Sequence, residues 1–178
     1  VNLTFEVLPD EKIETLRESC NDLMDFQKSV AYVKPELFDS MNFDTRFLPS
    51  FKKAIHNYTV VVKDNGEVIA YVYSNVSQKE VYSNEFATFF DMDSVSTQNV
   101  GCLSQFYIKE NYRQYGIGSK LFNLSMDWLR QFDDVEDYFI YVSNGNKNAL
   151  EFYKRKGFKV SHDILDGFIT VLRSKKEF

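Results

Sequence analysis

The chain has 178 residues and a formal net charge of −5; 16% of it is aromatic, with 17 Phe and 11 Tyr, and it holds only seven glycines and three prolines. That length suits one domain with a sizeable core, and the composition excludes disorder, repeats and low-complexity tracts. An acidic chain lends no support to nucleic-acid binding, its two cysteines and two histidines lack metal-ligand spacing, and the absence of an apolar run of about 18 residues or of a basic-then-apolar start points to a cytoplasmic protein without membrane contact.

Leu3 to Leu8 reads as an opening strand. Pro9-Asp10 then starts an amphipathic helix, apolar at Ile13, Leu16, Cys20, Leu23, Met24 and Phe26, which reads as a flank or lid. A second helical stretch, Pro49 to His56, precedes the clearest hairpin, YTVVVKDNGEVIAYVY, in which Asn65-Gly66 joins two β-branched runs. Val68 to Tyr73 and Gly101 to Ile108 are the next strands, and Cys102 reads as a buried thiol within the second. The excursion between them, Ser74 to Val100, is longer than a tight connection requires and carries Glu80, Tyr82, Glu85, Phe89, Asp91 and Asp93. It is expected to wall the acceptor side; a helix or strand that only shields the sheet edge is the rival.

The segment YRQYGIGSKL, Tyr112 to Leu121, follows an apolar strand and opens a helix. Without Cβ atoms at Gly116 and Gly118, main-chain N–H groups can close on an anion, and the positive end of a helix from Ser119 adds to the same point. A P-loop requires lysine directly after the second glycine, where Ser119 stands, and a dinucleotide fingerprint requires a small residue where Leu121 stands. The helix Ser119 to Phe132 is apolar at Leu121, Leu124, Trp128 and Phe132 and packs on the sheet; Asp133, Asp134, Glu136 and Asp137 read as a solvated exit loop. A strand, Tyr138 to Val142, leads to a helix, Ala149 to Lys156, closed by Gly157 as a left-handed cap. Phe158 to Val160 and Gly167 to Leu172 are the last antiparallel strands, with Asp166-Gly167 near their turn.

The pattern R-x-x-G-x-G-S-x-L from Arg113 to Leu121 resembles the pyrophosphate loop of the GNAT-type N-acetyltransferases. VSNGNKNALEFYKRKGF resembles the same family's second block, with Val142, Asn146, Ala149, Tyr153, Gly157 and Phe158 in register. The resemblance covers Val100 to Leu172 and is faint before it. It implies a single-domain α/β GNAT-like fold, with a mixed, mostly antiparallel sheet of six to seven strands flanked by helices. Residues 1–75 would form the N-terminal strand, helices and hairpin, 76–99 the excursion, and 100–172 the acetyl-CoA-binding core.

The resemblance further implies acetyl transfer from acetyl-CoA, a cosubstrate used without a metal, to an amine of a small molecule or protein by direct attack in a ternary complex. Phe106, Tyr107 and Ile108 would offer main-chain groups to the pantetheine arm. Gln114, Tyr115, Gly116, Ile117, Gly118 and Ser119 would hold the pyrophosphate, with Arg113 as a charged edge. Asn146 would hydrogen-bond the pantetheine, with simple N-capping as the equal alternative. Tyr153 matches the family tyrosine that protonates the leaving thiolate; a core tyrosine with a satisfied hydroxyl is its rival. Lys154, Arg155 and Lys156 could meet the 3′-phosphate or form a solvated helix end.

A lysine-like amine has pKa about 10.4, so holding it neutral at pH 7 costs roughly 4.6 kcal/mol and a proton acceptor is needed. Many family members place a glutamate on the fourth strand, where this chain has Ser104, Gln105 and Tyr107. Glu80, Glu85, Asp91 and Asp93 are the candidate bases, and Gln105 could orient a water. Residues 1–100 hold nine basic and sixteen acidic side chains and the remainder twelve and ten. That asymmetry favours the cofactor phosphates on the second half and a cationic acceptor on the first, against simple scatter of surface charge. A catalytically silent coenzyme-binding sensor or interaction module on the same fold is the alternative, and the aromatic content leaves room for a homodimer through an exposed patch.

Overall fold

In the computed structural model, which describes residues 1–83 and 89–177, seven strands share one sheet. They are β1 (Leu3–Val7), β2 (His56–Asp64), β3 (Glu67–Gln78), β4 (Asn99–Ile108), β5 (Val135–Ser143), β6 (Lys159–Ile164) and β7 (Ile169–Lys175), in the order β1-β2-β3-β4-β5-β7-β6. The β2–β3 hairpin turns at Asn65 (φ 50°) and Gly66 (φ 85°), the pair of positive φ values a tight hairpin needs. All neighbours run antiparallel except β4 and β5, which the crossover helix α3 (Ile117–Leu129) joins as a parallel pair.

Strand alternation divides the core between the two faces of the sheet. Val60, Val62 and Val72 point to α3, where they meet Leu121, Met126 and Leu129, and the same cluster takes in Tyr153 from α4 (Lys147–Arg155). Val61, Tyr71 and Tyr73 point the other way, against Leu16, Cys20 and Leu23, which belong to a 3-10 turn and to α1 (Arg17–Val30). Phe38, Phe43 and Phe47 complete that second face from a 3-10 turn (Pro35–Ser40) and a π-helical turn (Phe43–Phe47) leading into α2 (Leu48–Lys53). Periodicity did not reveal those two short turns.

Several boundaries move, each for a physical reason. The crossover helix starts at Ile117, two residues before Ser119, because Gly116 takes a left-handed N-cap conformation (φ 72°) and leaves Gly118 inside the first turn. β3 continues through Ser74, Asn75 and Ser77 to Gln78, although those polar residues read as a loop; all three are buried. The excursion is correspondingly shorter, and its Phe90 stacks on Phe139 at 4.4 Å. Asp137, expected in solvent, is fully buried, and Arg173 donates to its Oδ1 at 2.7 and 2.9 Å while also bonding the Ser94 carbonyl.

One clamp fixes the second layer to the sheet. Asn144 Oδ1 accepts from the Tyr32 and Val33 amides at 2.8 Å each, and its Nδ2 donates to the Val33 and Phe168 carbonyls. Next to it, Gly145 (φ 82°) lies so close to the end of α1 that a Cβ would stand 1.9 Å from the Val30 carbonyl oxygen. Gly145→Ala is therefore expected to destabilise the protein by about 3 kcal/mol or more, because a main-chain carbonyl must move and a positive φ be strained together. Urea unfolding measures it; an unchanged midpoint would show that the two segments do not meet this closely.

Candidate active site

β4 and β5 are partners only around Asn99, Gly101 and Cys102. Beyond that point β4 stays on β3 and β5 stays on β7, so the two strands part and a cavity of about 290 Å³ opens beside the gap. α4 contributes Ala149 and Tyr153 to its wall, and the helices of the opposite face contribute Met24, Phe38 and Arg46. At the wall the β3–β4 register slips, so that Tyr73 pairs with Gln105 and Ser74 with Leu103, leaving Ser104 as the extra residue of a bulge. A bulge frees main-chain polar groups from the ladder, and this one falls at a residue of the cavity wall.

The anion loop lies at the start of α3. Among the described residues, nothing accepts the main-chain N–H groups of Gln114 to Ser119, which sit at a solvent-facing turn and the first turn of a helix. A Cβ on Gly116 would meet nothing within 4 Å, whereas the space over Gly118 is bounded by Ile108 at 3.6 Å and Phe152 at 3.7 Å. Arg113 is pinned here: its Nε donates to the Ile108 carbonyl at 3.0 Å and its guanidinium lies 4.6 Å from the Phe26 ring centre. That carbonyl is therefore partly occupied by Arg113, a departure from its expected availability to a pantetheine arm. Lys156 Nζ donates to Ser119 Oγ at 3.1 Å, which brings one cation of the basic run to the loop. Lys154 instead lies 3.7 Å from Glu151 on the helix surface. Unpaired donors, a helix N-terminus and nearby cations fit a diphosphate.

Of the residues singled out in the sequence, Gln105, Phe106, Asn146 and Tyr153 all line the cavity. The Tyr107 side chain instead packs with the opposite core. Tyr153 is 6% exposed, burial raises its pKa well above the usual phenol range, and its hydroxyl has no hydrogen bond to any described residue. A core tyrosine with a satisfied hydroxyl is not what stands there. Asn146 occupies the N-cap position of α4 but its side chain makes no cap hydrogen bond, which removes the capping alternative. Gln105 Oε1 accepts from the Tyr71 hydroxyl at 2.7 Å and the Cys20 thiol at 3.4 Å, so its orientation is fixed and its NH₂ remains to donate.

The candidate bases fare differently. Glu80, Asp91 and Asp93 are exposed and none lines the cavity; Glu80 accepts from Gln98 at 2.7 Å, and Asp91 caps the short turn containing Asp93. Exposure and local bonding leave them out of reach of the gap. Glu85 lies outside the described residues. The excursion does reach the cavity with Val81, Tyr82 and Phe89, while Phe90 and Val95 only cover the sheet.

The expectation of a cationic acceptor meets a different wall. Among the described residues the cavity lining holds no aspartate or glutamate, and its two charged groups are Arg46 and Lys53. A net acidic first half says nothing about which charges face inward. Arg46, Asn75, Ser104, Tyr141 and Ser143 were missed as site residues; they come from separate segments, and only the strand pairing and the π-helical turn bring them together. Among the described residues no cluster of His, Cys, Asp or Glu could hold a metal ion, and no helix is long and apolar enough to cross a membrane.

A profile described as the Acetyltransferase (GNAT) family matches residues 20–158. Among named relatives, the probable N-acetyltransferase san of Drosophila melanogaster is 34% identical over 61 residues, 34% of this chain and 30% of that protein. An N-alpha-acetyltransferase of Sulfurisphaera tokodaii is 24% identical over 118 residues, 66% of each chain. The match thus spans less than a third of the fly protein and just under two thirds of the archaeal one. Of the solved structures, the PaiA N-acetyltransferase of Thermoplasma acidophilum in complex with coenzyme A superposes with a TM-score of 0.66 at 16% identity, covering 99% of this chain and 100% of that one. Arabidopsis thaliana NAA60 in complex with acetyl-CoA gives 0.62 at 15% identity, covering 98% of each chain. At such identities the likeness to solved structures is one of fold.

Proposed function

Because the chain belongs to the acetyltransferase (GNAT) family, whose members are acetyl-CoA-dependent acyltransferases, we propose that it transfers the acetyl group of acetyl-CoA to an amine of a small molecule or protein by direct attack in a ternary complex. The observation that carries this reading is the parting of β4 from β5 beside a cavity walled by Tyr153, a buried tyrosine whose hydroxyl bonds no described residue.

Bound acetyl-CoA supplies an activated thioester. The N–H groups of Gln114 to Ser119 hold its diphosphate, with Lys156 alongside, and Asn146 bonds the arm between the strands. Main-chain donors at the Ser104 bulge face the acyl oxygen, where charge develops during attack. Tyr153 keeps its proton because burial disfavours the phenolate, and gives it to the departing sulfur. The acceptor's proton leaves through water held at the Gln105 NH₂. A covalent acyl-enzyme has little support, since burial pushes the Cys20 thiol up to about 11 and Cys102 up to about 12, and a thiol is a poor nucleophile.

Calorimetric titration with acetyl-CoA, followed by thiol release across polyamines, aminoglycosides, amino acids and peptide N-termini, tests the reading. We expect saturable binding and release that depends on one acceptor class. The absence of both heat and a thermal shift at millimolar acetyl-CoA would refute it.

A further inference from the structure

Arg46 stands on the π-helical turn between Phe43 and Phe47, stacked rings whose centres are 5.1 Å apart, and it lines the cavity opposite α4. Solvent reaches it there, yet the protein packed around it lowers its pKa by desolvation. Among the described residues it makes no ion pair and no side-chain hydrogen bond. The carboxylate nearest in sequence, Asp44, is taken by Arg17 at 2.7 Å. The Cys20 and Cys102 thiols, whose electrostatic influence reaches Arg46, are both kept neutral by burial, so they cannot balance the guanidinium. Lys53 is the other cation of the same lining, and no described carboxylate shares it.

Polar atoms without partners accompany this charge. Asn75 Oδ1, Tyr141 Oη and Ser143 Oγ are each buried without a hydrogen bond, and all three residues line the cavity. Asn75 is 3% exposed and Ser143 2%. Buried groups left unsatisfied are costly, and a ligand that bonds them relieves that cost, while the Arg46 guanidinium, open to solvent at the cavity, offers an anion a partner that no described carboxylate already holds.

Resting on the acetyl-transfer reading above, we infer that the amine acceptor carries a carboxylate that pairs with Arg46, while Asn75, Tyr141 and Ser143 hydrogen-bond the groups between that carboxylate and the amine. Lys53 adds long-range attraction. The carboxylate has two possible sources, the α-carboxylate of a free amino acid or an acidic side chain close behind a peptide N-terminus. In either case the cavity selects against polyamines.

Matched acceptors provide the test. Free amino acids are compared with their amides, and short peptides bearing glutamate at the second position with their glutamine counterparts. In the wild type kcat/KM should favour the carboxylate member of one pair by about 10–100-fold, chiefly through KM, and the pair that responds identifies the source. Arg46→Met should bring that ratio to near one, and Arg46→Lys should keep part of it. Thermal shifts of the coenzyme A-saturated protein with the same pairs give a second readout that does not depend on turnover or on either variant folding. Equal preference within each pair in the wild type, or an unchanged ratio in Arg46→Met, overturns the inference. Failure to bind acetyl-CoA at all would instead refute the acetyl-transfer reading, so the two failures are distinguishable.

Discussion

Tyr153→Phe is expected to lower kcat by about 10²–10⁴-fold, the range general-acid catalysis commonly contributes, while acetyl-CoA affinity changes by less than about threefold. The substitution removes one oxygen from a fully packed ring that keeps its contacts with Phe106, Phe122 and Phe152 at centroid distances of 6.2, 6.4 and 5.5 Å. Because that oxygen bonds no described residue, its loss should leave stability within about 1 kcal/mol. The pH dependence has a definite sign. Burial raises this phenol above its ordinary pKa of about 10, so the acid form is complete through neutral and mildly alkaline solution and is lost only as pH climbs past that value. Wild-type turnover should therefore show no decline between about pH 7 and 9 from ionisation of this group. Stopped-flow thiol release with matched titrations measures both. A variant that turns over like wild type would exclude the acid role and favour the silent coenzyme-binding alternative.

Gly118→Asp should separate binding from stability in the opposite sense. The glycine is in the first turn of α3, its φ is not in the left-handed region, and a Cβ there would make only ordinary contacts with Ile108 and Phe152 at 3.6–3.8 Å. A carboxylate at a helix N-terminus is favourable by about 0.3–1 kcal/mol, so the folded protein should be no less stable. The same charge would lie beside the site of the diphosphate, where repulsion at about 4 Å is worth roughly 4 kcal/mol at an intermediate dielectric. Acetyl-CoA affinity should fall by about 100-fold or more, while Gly118→Asn, of equal size and no charge, loses much less. Parallel thermal unfolding and titration read both quantities. Equal losses for the two variants would mean that space rather than charge governs the loop, and unchanged affinity in Gly118→Asp would put the diphosphate elsewhere.

What could be read in the sequence was what is local in the chain. The α3 loop is written in ten consecutive residues, because the turn, the missing Cβ atoms and the helix start are all short-range matters. The second block, from Val142 to Phe158, is similarly compact; it singled out Asn146 and Tyr153 by resemblance, and the fold puts both beside the cavity. The β2–β3 hairpin followed from Asn65-Gly66, while the division of Val60 and Val62 from Val61 between the two faces of the sheet was seen only in the fold.

The acceptor side could not be read in this way. Ser74, Asn75 and Ser77 look like a loop until the β3–β4 bulge and the cavity show why polar residues are buried in a strand. Arg46 and Tyr141 are 95 positions apart and share no pattern; only the parting of β4 from β5 makes them neighbours of one cavity. Net charge over the first hundred residues pointed to a cation, whereas the described lining presents Arg46 and Lys53, because total charge is set mostly by exposed side chains and selectivity by the few that face inward. Local backbone geometry thus set the turn and helix start whose main-chain donors are left open, while long-range strand pairing decided which charges face the cavity.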